Sequence, residues 1–557
     1  MEETTNNASA PNTGQTSPTS FCESRDSLIE QITKEYLATI DPQNPPSPTK
    51  LKEDLLGRIR TEINIVNSIK AKGEKFRYLK ELCPAQIAAI LLHLYCIARV
   101  VTASDDSGYD ILALYQTEGE NKGTYVSDPA ALRRLARQYS YMLDSRGCKE
   151  VETILWDTAP RVPRCTEPNL IALNNGIFDY DAKVLHPFTT DKVFLTKSKV
   201  NYNILARNII IHNDEDGTDW DVESWMCSLS DDPEIIRLLW EILGAIIRPN
   251  VPWNKSAWFY STQGNNGKGT LCELMRQLCG KGSYTSISLS DMGKDFMLEP
   301  LIHSSAIIVD ENNVGTFIDK AANLKAIITG DVLQINRKFK TPISYQFRGF
   351  MVQCLNEMPR IKDKSDSFFR RQLFILFEKC FTGRERKYIK EDYLHRPEVL
   401  EYVLYKVLNT NYYTLSEPKA CKLALEEYRE FNDPIRQFIG DILSECVWDL
   451  LPFSFVYDLY KAYFKRWNPS GTVQGKSSFL NELLSILAKD PDSEWYCDDK
   501  QKKIRTGSKM DKPELFIREY GLVEWVNPHY SSSYDNDKYC RPCLKESYRG
   551  LLRKGIS

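Results

Sequence analysis

Apolar residues recur at helical spacing twice near the start of the chain, as Leu28, Ile29, Ile32, Tyr36 and Leu37 and again as Leu55, Ile59, Ile63 and Ile65. A proline-rich break over 42–48 separates the two sets. Residues three and four apart share one side of a helix, so residues 27–99 are expected to be mostly helical. Ahead of them, residues 1–24 are rich in Ser, Thr, Asn and Pro and nearly devoid of large apolar side chains. Such a segment buries too little surface to offset its ordering entropy, and a disordered tail is expected. Apolar runs at 110–115 and 123–126 then predict a hairpin, followed by a helix over 128–143. Beyond Pro160 and Pro163 the pattern turns strand-like over 169–180, with Asn175 and Gly176 as a turn signal between apolar runs.

Asp232, Pro233 and Glu234 open a helix with a capping side chain, a preset φ and an acid in the first turn. That helix carries Ile235, Leu239, Ile242, Leu243 and Ile246 and ends near Pro249. From 258 to 377 apolar strands alternate with helical patterns, which predicts a mostly parallel α/β core. Past Pro434, helices over 435–447 and 455–467 and a third reaching Lys489 precede a ribbon-like stretch at 494–505. This order suits a winged-helix module. The expected division is a tail (1–24), a helical then mixed α/β domain (25–215), a helical collar (216–250), an α/β ATPase domain (251–434) and a winged-helix-like domain (435–557).

A chain of 557 residues exceeds one core. Its 42% hydrophobic and 26% charged residues are ordinary for a globular protein. With a formal charge of −3, nucleic-acid contact has to come from local basic patches. The longest apolar run, 87–101, is interrupted by His93 and Arg99 and is too short for a membrane span. The start lacks the pattern of a secretory signal. Fifteen cysteines, mostly scattered singly, fit reduced thiols in a cytoplasmic compartment.

The stretch 258–271 carries the clearest chemistry. A short apolar strand runs into Gly264, Asn265, Asn266, Gly267, Lys268, Gly269 and Thr270, and a helix begins there. Such a loop turns successive N–H groups into one concavity at a helix N-terminus, where a polyphosphate such as that of ATP can sit. Lys268 would reach the β- and γ-phosphates. Against the pattern G-x-x-x-x-G-K-[ST], Thr262 replaces the first glycine and Gly269 the magnesium-binding hydroxyl.

Downstream, an apolar strand ends in Asp310 and Glu311, suited to holding Mg²⁺ and to polarising an attacking water. Residues 325–348 hold five basic residues against one acid, with Arg337, Lys338, Phe339 and Lys340 at the tip of a predicted hairpin. A basic tip with an aromatic can track a phosphate backbone. Asn356 ends another apolar strand, where its amide could position water. Arg370 and Arg371 stand just before the next strand and could stabilise transition-state charge, in trans if a neighbouring subunit supplies them.

This ordered set, with Gly330-Asp331 and Pro359, resembles a superfamily three helicase of the phage, plasmid and poxvirus primase-helicase type. The likeness covers roughly residues 105–380, including the segment around Asn175 and Gly176. It implies an AAA+-like ATPase, usually a hexameric ring, that moves on single-stranded DNA and unwinds forked DNA in replication of a mobile element. It also implies ATP and Mg²⁺ as cofactors. Lys268 and Thr270 then belong to the phosphate loop, Asp310 and Glu311 to the metal and water site, and Asn356 to the sensor; with Gly269 in place of the usual hydroxyl, Asp310, Thr270 or waters have to make up the metal shell. Lys338 and Arg337 fall on the DNA-contacting hairpin, and Arg371, then Arg370, is the candidate trans arginine.

Many relatives carry a primase upstream, but no histidine before residue 160 lies in a carboxylate-pair context, so priming is not expected. A separate primase or polymerase and an origin sequence are candidate partners. Lys502, Lys503 and Arg505 fit a basic wing on DNA. Cys540 and Cys543 could join Cys497 and His529 as zinc ligands. The alternative functions are an origin-binding regulatory ATPase without processive unwinding and a helicase-primase partner subunit.

Overall fold

The N-terminal apolar stripes form the helices Arg25–Leu37 and Pro48–Ile69 of the computed structural model. It describes residues 24–102, 108, 110–338, 340–467, 472–497, 502–530 and 540–555. All of the predicted tail (1–24) but Ser24, which caps the first helix, lies outside the described residues, as does Phe339. Two units result: residues 1–201 with 341–346, and residues 202–340 with 347–557.

In the first unit Leu51, Leu55, Ile59 and Ile63 line the buried side of their helix. Ile65, two residues beyond Ile63 and so on the far side, is 56% exposed. The helical stretch ends earlier than its periodicity suggests. A third helix stops at Leu94, and Ile97–Val101, in which Ile97, Val100 and Val101 are β-branched, enters a sheet instead. That strand pairs antiparallel with Ile111–Tyr115 and parallel with Arg161–Pro163, while Tyr125–Val126 completes the predicted hairpin. Arg161 clamps the buried Asp110 carboxylate at 2.9 Å.

A second hairpin pairs Leu170–Leu173 with Gly176–Asp179. Its turn is Asn174-Asn175, one residue earlier than the turn signal suggests. Gly176 is required for another reason: a Cβ there would lie 2.4 Å from the His186 carbonyl oxygen of the next strand. Residues 341–346 belong to this unit, where the Ser344 carbonyl accepts from Thr102 Oγ1 at 3.0 Å and Arg164 donates to Tyr345 Oη and the Gln346 carbonyl, each at 2.9 Å.

The second unit is built on a five-stranded parallel sheet. In chain order its strands are β1 (Ser256–Tyr260), β2 (Tyr284–Thr285), β3 (Ala306–Val309), β4 (Phe350–Leu355) and β5 (Gln372–Leu376). In space they run β2-β3-β4-β1-β5. β1, β3 and β4 are buried nearly throughout, which is why they read as continuous apolar runs. Helix α1 (Pro233–Ile247) has Asp232 as its cap, accepting from Glu234 N, and Pro233 in its first turn. Helix α2 (Lys268–Cys279) follows the loop after β1.

Towards the C-terminus, Leu450–Pro452, Gly550–Arg553 and Trp495–Tyr496 form an antiparallel sheet in that order. The helices Phe453–Trp467 and Lys476–Lys489 pack on it through a core in which Tyr460 stacks on Phe479 at 4.2 Å. The expected ribbon over 494–505 differs from the pairing found. Trp495–Tyr496 pairs with Gly550–Arg553, and Ile504–Arg505 pairs with Ser547–Tyr548, so both halves find partners near the end of the chain. The expected helix over 435–447 is a short α-helix, Pro434–Phe438, continued by a π-turn at Ile439–Leu443 that contains Gly440. Among the described residues no helix is long and apolar enough to cross a membrane.

Candidate functional site

In an open parallel sheet the crevice lies beyond the carboxyl ends of the strands where chain order reverses. Here that point is the junction of β1, β4 and β3, and the loop 261–267 leaves from it. Gly267 adopts φ +86°, which calls for glycine, and a Cβ on it would also stand 2.6 Å from Leu229 Cδ2, so that the leucine side chain would have to shift. The Asn266 side chain folds the loop on itself, accepting from Lys268 N at 3.2 Å and donating to the Gln263 carbonyl at 2.5 Å. Asn265, also at positive φ, is held from behind by Glu385 at 2.9 Å and by Phe381 N, which donates to its carbonyl at 2.7 Å.

Lys268 begins α2 and is buried. Its Nζ donates to the Leu355 carbonyl (3.1 Å), the Ser261 carbonyl (3.3 Å) and Asn356 Oδ1 (3.0 Å). Burial pulls its pKa below the usual lysine value, while the nearby Cys354 and Asp310 oppose that shift. The sequence-predicted Lys268 and Asn356 are therefore in direct contact.

Asp310, just past β3, approaches the first turn of α2. A Cβ on Gly269 would lie 3.0 Å from its Oδ1 and 3.3 Å from Oδ2. The glycine that breaks the phosphate-loop pattern is thus the surface against which this carboxylate rests. Arg276, one face along α2, lies 3.8 Å from Asp310 and 3.5 Å from Glu273, and His395 lies 3.4 Å from Glu273. Glu311 is exposed. Asn312 is buried and ties the end of β3 to β4, donating to Gln353 Oε1 (2.9 Å) and the Cys354 carbonyl (3.0 Å). Hydrogen bonding with Cys272, then burial, pushes the Cys354 thiol well up.

A cavity of about 630 Å³ adjoins the loop, with Asn266, Gly269 and Thr270 on one wall and Trp220, Trp225 and Phe381 among the others. Sequence reading missed this second wall. A basic run after β5, Arg384, Arg386, Lys387 and Lys390, also lines it and was the available signal. A cavity of this size beside the loop can take a nucleoside polyphosphate, while the Lys268 amine lies behind the loop on its three acceptors. Asp310 and Thr270 are the candidate magnesium ligands, since Gly269 offers no hydroxyl.

Arg370 and Arg371 sit at the opposite end of the sheet. Ser256 pairs with Gln372 and Tyr260 with Leu376, so the arginines flank the start of β5 while the loop leaves the far end of β1. Five strand residues separate the two ends by roughly 16 Å. Arg370 is exposed, and Arg371 Nη1 bonds back to the Ser367 carbonyl and, at 2.8 Å, to its hydroxyl.

In the predicted DNA hairpin, the strand Val332–Arg337 alternates exposed and buried residues, and Lys338 is exposed at the turn. Arg337 is half-buried, and burial lowers its pKa. Lys340 begins the returning strand Lys340–Gln346. Lys325, counted in the basic span, is paired with Asp363 at 2.6 Å. Exposed Phe296, at φ +65°, is an aromatic that patterning overlooked; its neighbour Asp295 accepts from Asn336 of the strand at 3.0 Å. Lys502, Lys503 and Arg505 are exposed. Among the described residues the one trio with metal-ligand proximity is Cys272, Asp310 and Cys354, and the quartet of Cys497, His529, Cys540 and Cys543 supplies none.

Residues 259–371 match the model of a family of unknown function (DUF5906), and residues 430–521 match the model described as poxvirus D5 protein-like. Each covers well under half of the chain. The chain is similar to the curated "Putative helicase L207/L206" of Acanthamoeba polyphaga mimivirus, 22% identical over 365 residues, 58% of this chain. It spans 36% of that relative's length. Structures of the NrS-1 C-terminal region align at 13–14% identity over 72–77% of this chain and 87–98% of theirs. Their TM-scores of 0.39–0.40 are too low to assign a fold. The mixed α/β architecture is read from this chain's own sheets, and the sequence similarity is to a viral protein named as a putative helicase and to the poxvirus D5 protein-like model.

Proposed function

We propose that this chain is an ATP-driven replicative DNA helicase of the superfamily three, AAA+-like type, acting as a ring, usually of six copies, on single-stranded and forked DNA. One observation carries the reading: a buried lysine on a glycine-bearing loop, an aspartate and an asparagine meet at the carboxyl ends of three adjacent parallel strands. Lys268 neutralises the β- and γ-phosphates of ATP, exchanging its present carbonyl and Asn356 partners for phosphate oxygens. Asp310 and Thr270 hold the magnesium ion, which supplies positive charge to the transferring phosphoryl group. Glu311 orients the water, and Asn356 couples Lys268 to the phosphate end of the site.

Arg371 or Arg370 reaches a neighbouring copy's site, because its own lies across the length of the sheet. Lys338, Arg337 and Lys340 contact the DNA backbone, and the C-terminal part, with Lys502, Lys503 and Arg505, serves as a winged-helix-like DNA contact. Similarity to a protein named as a helicase and to the poxvirus D5-like model supports the helicase reading over other ATPase roles. The test is strand separation on forked DNA with ATP. Unwinding that Lys338→Ala abolishes while nucleotide binding persists is expected. Hydrolysis without unwinding on either tail polarity would replace the helicase with an origin-binding ATPase switch.

A further inference from the structure

Two thiols face each other directly behind the phosphate loop. Cys272 lies on α2 one turn past Lys268, and Cys354 is the next-to-last residue of β4. Their sulfurs are 3.4 Å apart and both residues are buried. The Asp310 carboxylate completes the group, with one ligand atom from each residue within 4.8 Å of the other two. We infer that Cys272, Cys354 and Asp310 form a binding site for a soft divalent cation of the zinc class, and that this site shares Asp310 with the nucleotide site. The sharing rests on the function proposed above; the cation site does not.

The donor set selects the ion. Two sulfurs and one carboxylate favour zinc or cadmium over magnesium and calcium, which want oxygen alone. A tetrahedral zinc ion at about 2.3 Å from each sulfur holds them about 3.8 Å apart, so the pair has to open by only a few tenths of an ångström. Two thiolates and a carboxylate outweigh the ion's charge by one. Lys268, which feels the fields of all three groups, and Arg276, 3.8 Å from Asp310, offset that excess. The β4 end is fixed by the Asn312 bond to the Cys354 carbonyl, which holds the backbone that carries the sulfur. Access runs through Asp310, whose side chain is 35% exposed while the thiols are covered. An ion seated there draws the carboxylate towards the sulfurs and away from the phosphate side, so a soft cation becomes an inhibitor of magnesium use.

The experiment loads the full chain, kept reduced by a phosphine, with one equivalent of ¹¹³Cd²⁺ and records its NMR spectrum. A bound resonance of mixed sulfur and oxygen ligation is expected, lost in Cys272→Ser and in Cys354→Ser and retained in Cys380→Ser, which removes an exposed thiol nearby. X-ray absorption of the zinc-loaded wild-type chain checks the site without a variant: two sulfurs at about 2.3 Å with lighter donors are expected. A shell with one sulfur or none, or a resonance that survives both serine substitutions, overturns the site. So does a pair that forms a disulfide on mild oxidation yet takes no cadmium when reduced. A magnesium–nucleotide complex should weaken cadmium binding at least tenfold, and unchanged affinity overturns the sharing of Asp310. A chain that binds cadmium but no nucleotide would refute the proposed function and leave the cation site standing.

Discussion

Gly269→Ser restores the hydroxyl that a phosphate loop ordinarily presents to magnesium, yet the geometry predicts that it impairs the protein. The new Cβ would stand 3.0 Å from Asp310 Oδ1, 3.3 Å from Oδ2 and 3.5 Å from Cγ. Relieving that contact pushes the carboxylate away by about 0.4 Å or twists it off its rotamer, at about 0.5–1.5 kcal/mol. Replacing glycine in the first turn of α2 returns roughly 0.5–1 kcal/mol of helix stability. The two nearly cancel, so thermal stability should hardly change. Function should change more, since a 1 Å misplacement of a catalytic group can cost about 100-fold, and a shift of this size about tenfold. The assay is ATP turnover against magnesium concentration for wild type, Gly269→Ser and Gly269→Ala. Both variants should lose turnover alike, because both carry the Cβ. If the serine variant instead exceeds wild type in turnover or magnesium affinity while the alanine variant falls, the contact with Asp310 is not what requires glycine.

Asn356→Ala removes one acceptor from Lys268 Nζ and should lower turnover roughly 100-fold with nucleotide affinity within about threefold; equal loss of both in binding and single-turnover assays would contradict its role. Chains carrying Lys268→Ala and Arg371→Ala should each be inactive, and mixing them should restore measurable ATPase by pairing an intact loop with an intact arginine across an interface. No recovery on mixing would point to an arginine that acts elsewhere. In the first unit, buried Lys197 donates to the Asn174 carbonyl at 3.3 Å, and burial lowers its pKa from 10.5 to about 8. Between those values the unfolded chain binds the extra proton, so wild-type stability should rise with pH there by up to about 3 kcal/mol relative to Lys197→Met. Denaturant unfolding of both chains at pH 7 and pH 10 reads this difference, and a constant gap would refute it.

The site's sequence-local parts were legible. The strand, loop and helix around Lys268 announce themselves in a dozen residues, and the carboxylate and amide ends of β3 and β4 follow from apolar runs closed by polar residues. The reason for Gly269 was not legible, because it depends on how closely a residue from another strand approaches α2. The wall formed by Trp220, Trp225 and Phe381 was missed for the same cause: it is assembled from segments on either side of the sheet-forming region. Cys272 and Cys354 are 82 residues apart and read as unremarkable buried thiols until β4 and α2 are brought together. Helix limits failed where β-branched residues took over after Leu94. The C-terminal ribbon failed because its partners lie near residue 550, beyond the reach of a local pattern.

On the function proposed above, the loop at the end of β1 drives ATP hydrolysis. Phosphate release from ATP by the full chain, with and without single-stranded DNA, compared with Lys268→Ala, tests it most directly. Turnover that DNA stimulates and that falls roughly 100-fold or more in the variant is the predicted result. A variant that hydrolyses ATP within twofold of wild type would mean that hydrolysis, if any, takes place elsewhere in the chain.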